Sequence, residues 1–177
     1  MLILVTGGVR AGKSRLALER AKAAPPPRWC VVTADPVRSA ADPEMASRIE
    51  AHRRERGVGF VTVEAPGALA AAVREATAAG ASALLVDDLT LWAANRLEAA
   101  DAEAFAAEAD DLAAALRASA DAGAVTVVVT NEVGWGIVPA DAGARAYAER
   151  LARANARVAR AADEVWLVVA GLPLRVR

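Results

Sequence analysis

The chain has 177 residues, with 21 basic and 22 acidic side chains, and its formal net charge is −1 when its one histidine is neutral. This balance argues against nucleic acid and anionic membranes as partners, because both attract an excess of positive charge. A chain of this length buries about 70% of its unfolded surface, so we assign residues 1–177 to one domain. The single cysteine, Cys30, has no internal disulfide partner, and no apolar run approaches the ~18 residues of a membrane span. We expect a cytoplasmic protein with no membrane span and no nucleic-acid partner.

The chain opens with a strand, a loop and a helix in the order that a phosphate-binding loop requires. Residues 2–6 are a continuous apolar run, typical of a strand covered on both faces, and residues 13–23 have helical spacing. Between them, the sequence fits G-x-x-x-x-G-K-[ST], in which backbone N–H groups and the helix N-terminus surround a phosphate. We predict that Lys13 reaches the outer phosphates and that Ser14 binds Mg²⁺. The predicted nucleotide-binding loop consists of Gly7, Gly8, Val9, Arg10, Ala11, Gly12, Lys13 and Ser14.

Strand-like and helix-like segments alternate along the rest of the chain. Three prolines at 25–27 end the first helix, residues 29–33 form a second predicted strand, and residues 34–41 are predicted to be irregular. Asp42, Pro43 and Glu44 are typical of a helix start, which predicts a helix to about Arg56. Further strands are predicted at residues 60–63, 83–86 and 125–129, and alanine-rich helices at about 67–78 and 89–121.

The C-terminal part departs from this alternation. A long helix is predicted at about residues 141–162, and residues 164–169 and 172–176 then flank Ala170-Gly171 as a closing hairpin. Alternating strands and helices predict a largely parallel sheet. The expected fold is α/β, a P-loop NTPase of the RecA-like class, with helices flanking the sheet and an antiparallel hairpin at the C-terminus.

Two adjacent acids follow the predicted strand at residues 83–86. A carboxylate there could hold magnesium opposite the loop hydroxyl, as nucleotide enzymes require. Asp87, at the last strand position, is the better metal candidate. Asp88 could instead cap the helix that begins at Leu89. The sequence therefore predicts a magnesium site at Ser14 and Asp87 and leaves both roles open for Asp88.

His52 is the only histidine in the chain. On the predicted helix it shares the apolar side with Met45 and Ile49, and a lone histidine in such a position is more often a packed residue. The arginines nearby favour a second interpretation, in which a neutral imidazole acts as a nucleophile beside bound phosphates. These arginines are Arg53, Arg54 and Arg56. Both interpretations are open.

The segment at residues 130–139 follows the predicted strand 125–129 and combines small, polar and aromatic side chains. Ligands of open parallel sheets bind at the carboxyl ends of the strands, which favours a binding loop. The glycines could equally serve a structural turn, since they permit unusual backbone dihedrals. The residues alone do not decide between these alternatives.

Together these motifs resemble the bifunctional adenosylcobinamide kinase and adenosylcobinamide-phosphate guanylyltransferase family of cobalamin biosynthesis. The resemblance covers essentially the whole chain, and its most specific parts are Arg48-Ile49 with His52, and Asn-Glu-Val-Gly at 131–134. Its other parts are residues 3–8 and 12–15, Met45, Arg53, Thr62, Glu64, residues 89–92, Asn95, Thr130, residues 136–139 and residues 162–166.

The resemblance implies an enzyme that uses Mg²⁺ and GTP, with ATP as an alternative phosphoryl donor. It implies phosphorylation of the aminopropanol hydroxyl of adenosylcobinamide, and then transfer of GMP to adenosylcobinamide phosphate through a guanylylated histidine, which yields adenosylcobinamide-GDP. On this chain that histidine is His52, and Lys13 is the second catalytic residue. The family is commonly trimeric, which implies a homotrimer. Besides the loop, the implied nucleotide-binding positions are Thr33, Ala34, Asp35, His52, Arg53, Glu64 and Asp87.

Two other functions fit parts of the sequence. The first is a small-molecule kinase with a single activity, in which His52 only packs. The second is a RecA-like module that acts on nucleic acid, which would need a basic groove and stacking aromatic side chains. The near-neutral charge and the aromatic content of 4% argue against this second alternative.

Overall fold

The computed structural model of the protein describes residues 1–35 and 41–177. The strands are β1 (Leu2–Gly7), β2 (Arg28–Val32), β3 (Phe60–Glu64), β4 (Ala83–Asp87), β5 (Val125–Val129), β6 (Glu164–Val169) and β7 (Leu172–Arg175). The helices in the described ranges are α1 (Lys13–Lys22), α2 (Pro43–Arg56), α3 (Leu69–Ala78), α4 (Leu89–Asn95), α5 (Ala102–Asp121) and α6 (Ala142–Ala161). Residues 36–40 of the segment predicted to be irregular lie outside the described residues. None of the helices described is both long and apolar enough to cross a membrane.

All seven strands belong to one sheet, in the order β3-β2-β4-β5-β1-β6-β7. The first six run parallel to their neighbours, and β7 pairs antiparallel with β6. Parallel neighbours must be joined by crossovers, and helices provide most of these crossovers here. The structure therefore confirms the predicted P-loop NTPase fold with its largely parallel sheet and C-terminal hairpin.

The central strand β1 contributes to two hydrophobic cores, one on each face of the sheet. All six of its residues are buried, and successive side chains point to opposite faces. Leu2 and Leu4 join a core with residues of α3, α5 and α6. Ile3 and Val5 join a second core with residues of α1. Packing on both faces therefore fixes the position of β1, and with it the start of the loop that follows this strand.

The hairpin between β6 and β7 has the turn that the sequence predicts. Ala170 and Gly171 have φ angles of 50° and 82°, as in a two-residue type I′ turn, whose twist matches that of the flanking strands. Val169 pairs with Leu172 across this turn. The local sequence thus sets the register of the last two strands.

The helix predicted at about residues 89–121 is wrong as a single element, because it is divided into α4 and α5. Asp101 begins α5: its carboxylate accepts hydrogen bonds from the N–H groups of Glu103 and Ala104. The guanidinium of Arg150, from α6, donates to three carbonyls in the connection, at Arg96, Leu97 and Ala100. Capping at one end and side-chain donors at the other stabilise the break. Asp101 could have indicated this break from the sequence, but the alanine-rich residues on both sides of it favoured one continuous helix.

Candidate active site

The phosphate loop connects the carboxyl end of β1 to the N-terminus of α1, and two of its glycines are required by geometry. A Cβ atom at Gly7 would lie 2.4 Å from the carbonyl oxygen of Val168 in the neighbouring strand β6, and the φ angle of Gly7 is 146°. Gly12, directly before α1, has a φ angle of 100°. Both backbone conformations strongly favour glycine.

A cavity of about 700 Å³ lies over this loop, within the range of roughly 300–1,000 Å³ typical of small-molecule sites. One wall consists of the loop residues from Val9 to Ser14. The facing walls come from the ends of β4 and β5 and from α2, and they include Arg48, His52, Asp88 and Asn131. Four separate segments of the chain therefore meet at the carboxyl edge of the sheet, where ligands of such folds bind.

The Lys13 side chain is buried beside this cavity and forms hydrogen bonds there. Its side chain is held by two hydrogen bonds of 2.6 Å each, which Nζ donates to the carbonyl oxygen of Gly8 and to Oδ1 of Asn131. Burial lowers the pKa of Lys13, and the negative charge of nearby Asp88 opposes this shift. The ammonium group is thus fixed at the cavity wall, where it can contact the outer phosphates of a nucleotide.

Asn131 lies in the loop that the sequence left open between a binding loop and a structural turn, and it was not among the predicted nucleotide-binding residues. Its amide nitrogen Nδ2 and its backbone N–H both donate to Thr90 Oγ1, at 2.8 and 3.1 Å. Its carbonyl oxygen accepts from Asn155 of α6 at 3.0 Å. These contacts orient Oδ1 toward Lys13. The start of the loop therefore belongs to the site, and its position directly after β5 was the signal that could have found it.

The far part of the same loop is different. Trp135, Ile137 and Val138 are 75%, 97% and 75% exposed. Between the two parts, Glu132 lies behind the phosphate loop: its Oε1 accepts from Thr6 Oγ1 at 2.7 Å, and its N–H donates to the carbonyl of Gly7. The sequence treated residues 130–139 as one unit. In the structure, the first residues of this segment are polar and hydrogen-bonded, whereas the later ones are apolar and exposed.

Asp88 has the capping role that the sequence left open, and it also lines the cavity. Its Oδ1 accepts the N–H of Leu91 at 2.9 Å in the first turn of α4. Burial, together with the adjacent charge of Asp87, raises the pKa of Asp88 to about 6. Thr33 holds its backbone, since Thr33 Oγ1 donates to the carbonyl of Asp88 at 2.6 Å. Asp88 thus shares a cavity with Ser14 and Lys13.

The Asp87 side chain contacts α2 instead. Its Oδ2 lies 3.3 Å from His52 Nδ1 and 3.6 Å from Arg56 Nη1. A second cavity, of about 90 Å³, lies beside this cluster, and Asp87, His52 and Ala34 line it together with Met45. Both aspartates line this smaller cavity, but only Asp88 also lines the larger one over the phosphate loop.

His52 lies on α2, whose start and end agree with the prediction. The helix is capped by Asp42, whose carboxylate accepts from the N–H groups of Glu44 and Met45. The His52 side chain is 27% exposed, and the hydrogen bond with Asp87 raises its pKa against the opposing effects of burial and of Arg48. Since His52 lines the same cavity as the phosphate loop, its ring is placed for chemistry as well as for packing.

Several predicted nucleotide-binding residues lie elsewhere in the structure. Thr33 is fully buried beneath Asp88, and Ala34 borders the smaller cavity. Arg53 is exposed on α2, and Glu64 is exposed at the end of the edge strand β3. Neither side chain lines the two cavities described above. The nucleotide contacts of Thr33, Arg53 and Glu64, and of the half-buried Asp35, stay predictions.

The oxygen donors at the cavity fit magnesium. Ser14 offers a hydroxyl and Asp88 a carboxylate to the larger cavity, and Ser14 also lines a small neighbouring pocket with the Asp87 carboxylate. Hydroxyl and carboxylate oxygens are ligand types that this ion prefers. In the described ranges, no three His, Cys, Asp or Glu residues form a metal-binding group. Magnesium keeps several of its waters and takes one or two carboxylates together with substrate phosphates.

Comparisons with known proteins give one consistent family. A family model described as cobinamide kinase / cobinamide phosphate guanyltransferase matches residues 3–176. The bifunctional adenosylcobalamin biosynthesis protein CobP of Pseudomonas aeruginosa is 36% identical over 174 residues, which cover 98% of this chain and 96% of that protein. The bifunctional adenosylcobalamin biosynthesis protein CobU of Salmonella typhimurium is 36% identical over 187 residues, with both chains fully covered.

Among solved structures, the P4 protein from bacteriophage phi6 in complex with ADP superposes with a TM-score of 0.51. The match covers 97% of this chain and 52% of that chain, at 15% sequence identity. At this identity the likeness concerns the fold alone.

Proposed function

The chain belongs to the cobinamide kinase / cobinamide phosphate guanyltransferase family and is an enzyme of that family, and we propose that it performs two successive transfers at the cavity described above. The first phosphorylates the aminopropanol hydroxyl of adenosylcobinamide with GTP or ATP. The second transfers GMP from GTP to adenosylcobinamide phosphate through His52, which yields adenosylcobinamide-GDP. The observation that carries this proposal is that His52 and the phosphate loop line one cavity.

In the kinase step, the protein acts by positioning and by electrostatic stabilisation. The backbone N–H groups of the loop and the N-terminus of α1 surround the phosphates. The Lys13 ammonium, held by Gly8 and Asn131, stabilises the charge on the outer phosphates as the acceptor hydroxyl attacks the γ-phosphorus. The bond from that phosphorus to the bridging oxygen breaks, the nucleoside diphosphate leaves with its electron pair, and the hydroxyl proton is released to water. Ser14 and Asp87 would hold magnesium, which supplies further neutralisation of this charge when bound.

In the transfer step, His52 supplies the nucleophile that a kinase alone does not need. The imidazole attacks the α-phosphorus of GTP, and the bond from that phosphorus to the bridging oxygen breaks as pyrophosphate leaves. A phosphate oxygen of adenosylcobinamide phosphate then attacks the same phosphorus. The histidine leaves with the electron pair of the phosphorus–nitrogen bond and is regenerated.

We also propose a cytoplasmic homotrimer without a nucleic-acid partner. The exposed apolar side chains of Trp135, Ile137 and Val138 support an association surface, since apolar patches of this kind mark protein contacts. The apolar side chains of α6 do not support association between chains, because Leu151 and Val158 are buried in the core of one chain. Light scattering on the protein at micromolar concentration tests the trimer. A mass near the 18.2 kDa of one chain would contradict it.

The two-transfer proposal is tested by assaying both activities separately in His52→Ala. We expect adenosylcobinamide phosphate to form at close to the wild-type rate and adenosylcobinamide-GDP to be absent, because no other histidine exists to replace the nucleophile. Arg54, which the sequence grouped with the arginines near His52, is exposed and lines neither cavity. Arg54→Ala on the same helix is therefore the matched control and should retain both activities. Adenosylcobinamide-GDP formed by His52→Ala would contradict the proposal. An enzyme with kinase activity alone, in wild type and variant, would favour the single-activity alternative.

A further inference from the structure

We infer that His52 attacks through its Nε2 atom, and that Asp87 is the positioning residue that selects this nitrogen. This inference rests on the proposed guanylyl transfer and specifies the atom that performs it. It also gives Asp87 a role in the reaction that is independent of magnesium.

The contact between the two side chains decides which ring nitrogen is available. Asp87 Oδ2 lies 3.3 Å from His52 Nδ1, and an ionised carboxylate only accepts hydrogen bonds. Nδ1 must therefore carry the proton, which in the neutral ring leaves the lone pair on Nε2. Among the residues described, no side chain or backbone group forms a hydrogen bond with Nε2. The nitrogen that faces away from Asp87 therefore carries the lone pair that can attack.

Asp87 is itself held firmly, so it can orient a residue on a more exposed helix. It ends the interior strand β4, where it pairs with Val32, and its carbonyl oxygen accepts from the N–H of Thr33 at 3.1 Å. Arg56 lies one turn after His52 on α2, is 7% exposed, and places its guanidinium 3.6 Å from the same Oδ2. Two side chains from one face of α2 thus converge on one carboxylate.

This arrangement also accounts for the charge that develops on the ring. As the Nε2 lone pair forms the bond to the α-phosphorus, the bond to pyrophosphate breaks and its electron pair leaves with pyrophosphate. The ring keeps the proton on Nδ1 and becomes positively charged, and the Asp87 carboxylate stabilises that charge. When the acceptor phosphate attacks, the electron pair returns to Nε2 and the neutral ring with its Nδ1 proton is restored.

The tautomer can be measured directly, because the chain has one histidine and therefore one imidazole. In protein labelled with ¹⁵N-histidine and free of magnesium and nucleotide, at a pH where the ring is neutral, we expect the Nδ1–H tautomer. Asp87→Ala should shift this population toward Nε2–H, whereas Arg54→Ala should not. Circular dichroism and thermal unfolding establish that the Asp87 variant is folded. An Nε2–H tautomer in the wild type would overturn the inference.

The position of the adduct is the second readout. After incubation with GTP and saturating magnesium, ³¹P–¹⁵N correlation on the labelled protein should place the phosphorus on Nε2. Asp87→Asn should form the adduct about 10- to 100-fold more slowly, the scale found when a group that orients a histidine is removed, and raising magnesium further should not restore the rate. An adduct on Nδ1 would overturn the inference but leave the proposed function intact. No adduct on His52 would instead overturn the proposed function, and the inference with it.

Discussion

The two walls of the active-site cavity are built in opposite ways. On the phosphate-loop wall, Lys13 is 7% exposed and both of its hydrogen-bond partners are fixed by the sheet and its loops. On the facing wall, His52 lies on α2, a helix of fourteen residues in which only Arg56 is buried. In the proposed reactions, the phosphates would therefore be bound by the core of the molecule, while the nucleophile would be carried by a helix whose His52 and Arg56 contact Asp87 at the end of β4. The proposed kinase step then depends on the first wall, and the proposed guanylyl transfer also needs the second.

The largest expected effect is on the buried wall, where Lys13→Ala removes the charge that stabilises the outer phosphates in the kinase step. We expect a loss of at least ~10²-fold in GTP-dependent phosphorylation, the scale of removing one group that stabilises transition-state charge. Steady-state assays of adenosylcobinamide phosphate formation measure it. Lys22, the other lysine and an exposed residue of α1, provides the matched control, since Lys22→Ala should change neither activity more than slightly. Near-normal turnover in Lys13→Ala would remove the phosphate-loop interpretation.

The adjacent aspartates distinguish metal binding from capping. Asp87→Asn should raise the magnesium concentration needed for half-maximal rate in both activities. Asp88→Asn should chiefly weaken the cap of α4, with a cost of about 1 kcal/mol or less in unfolding free energy. Magnesium titrations and urea unfolding of both variants give the two readouts. Because Asp88 shares the cavity with Ser14, a shift of the magnesium requirement in Asp88→Asn alone would transfer the metal role to Asp88.

Asn131 tests whether the fixed position of Lys13 matters for the kinase step. Asn131→Ala removes one of the two acceptors of the ammonium group and also the side-chain hydrogen bond that Nδ2 donates to Thr90, while the backbone N–H of residue 131 stays in place. Hydrogen bonds to charged groups contribute about 1.5–3 kcal/mol, so we expect kcat/KM for the nucleotide to fall by about tenfold or more. An unchanged kcat/KM would mean that Gly8 alone positions Lys13.

A smaller effect concerns pH and the stability of the metal-free protein. Burial raises the pKa of Asp88 to about 6, above the ~3.9 of an unfolded chain. The folded protein therefore keeps a proton that the unfolded chain has lost, and this group's contribution to unfolding free energy should decline as pH rises from about 4 to about 6. In urea unfolding across this range, the free energy of unfolding should fall less steeply with rising pH in Asp88→Asn than in the wild type. Equal slopes would contradict the buried placement of the carboxyl.

Local chemistry in the sequence was sufficient for the elements that depend on neighbouring residues. The phosphate loop, the start of α2 at Asp42 and the turn at Ala170-Gly171 were all predictable because capping, turn type and glycine geometry act over a few residues. The parallel sheet followed from the alternation of strands and helices. The fold class could therefore be predicted from the sequence.

The parts of the site that the sequence did not reveal depend on contacts between distant segments. Asn131 meets Lys13 across 118 residues, and Asp87 meets His52 across 35. The break between α4 and α5 likewise depends on Arg150 of α6. The motifs identified the individual side chains, and strand order decided which of them face each other. Glu64 ends the edge strand of the sheet, and its nucleotide contact stays a prediction.

The central claim, that His52 carries the guanylyl group, is tested most directly by intact-mass spectrometry after incubation with magnesium and GTP. The wild type should gain one GMP, and the adduct should be labile in acid and stable in base, as a phosphoramidate is. His52→Ala should gain no GMP while still producing adenosylcobinamide phosphate. An adduct that persists in His52→Ala, or a wild-type protein that stays unmodified while both products form, would contradict the account.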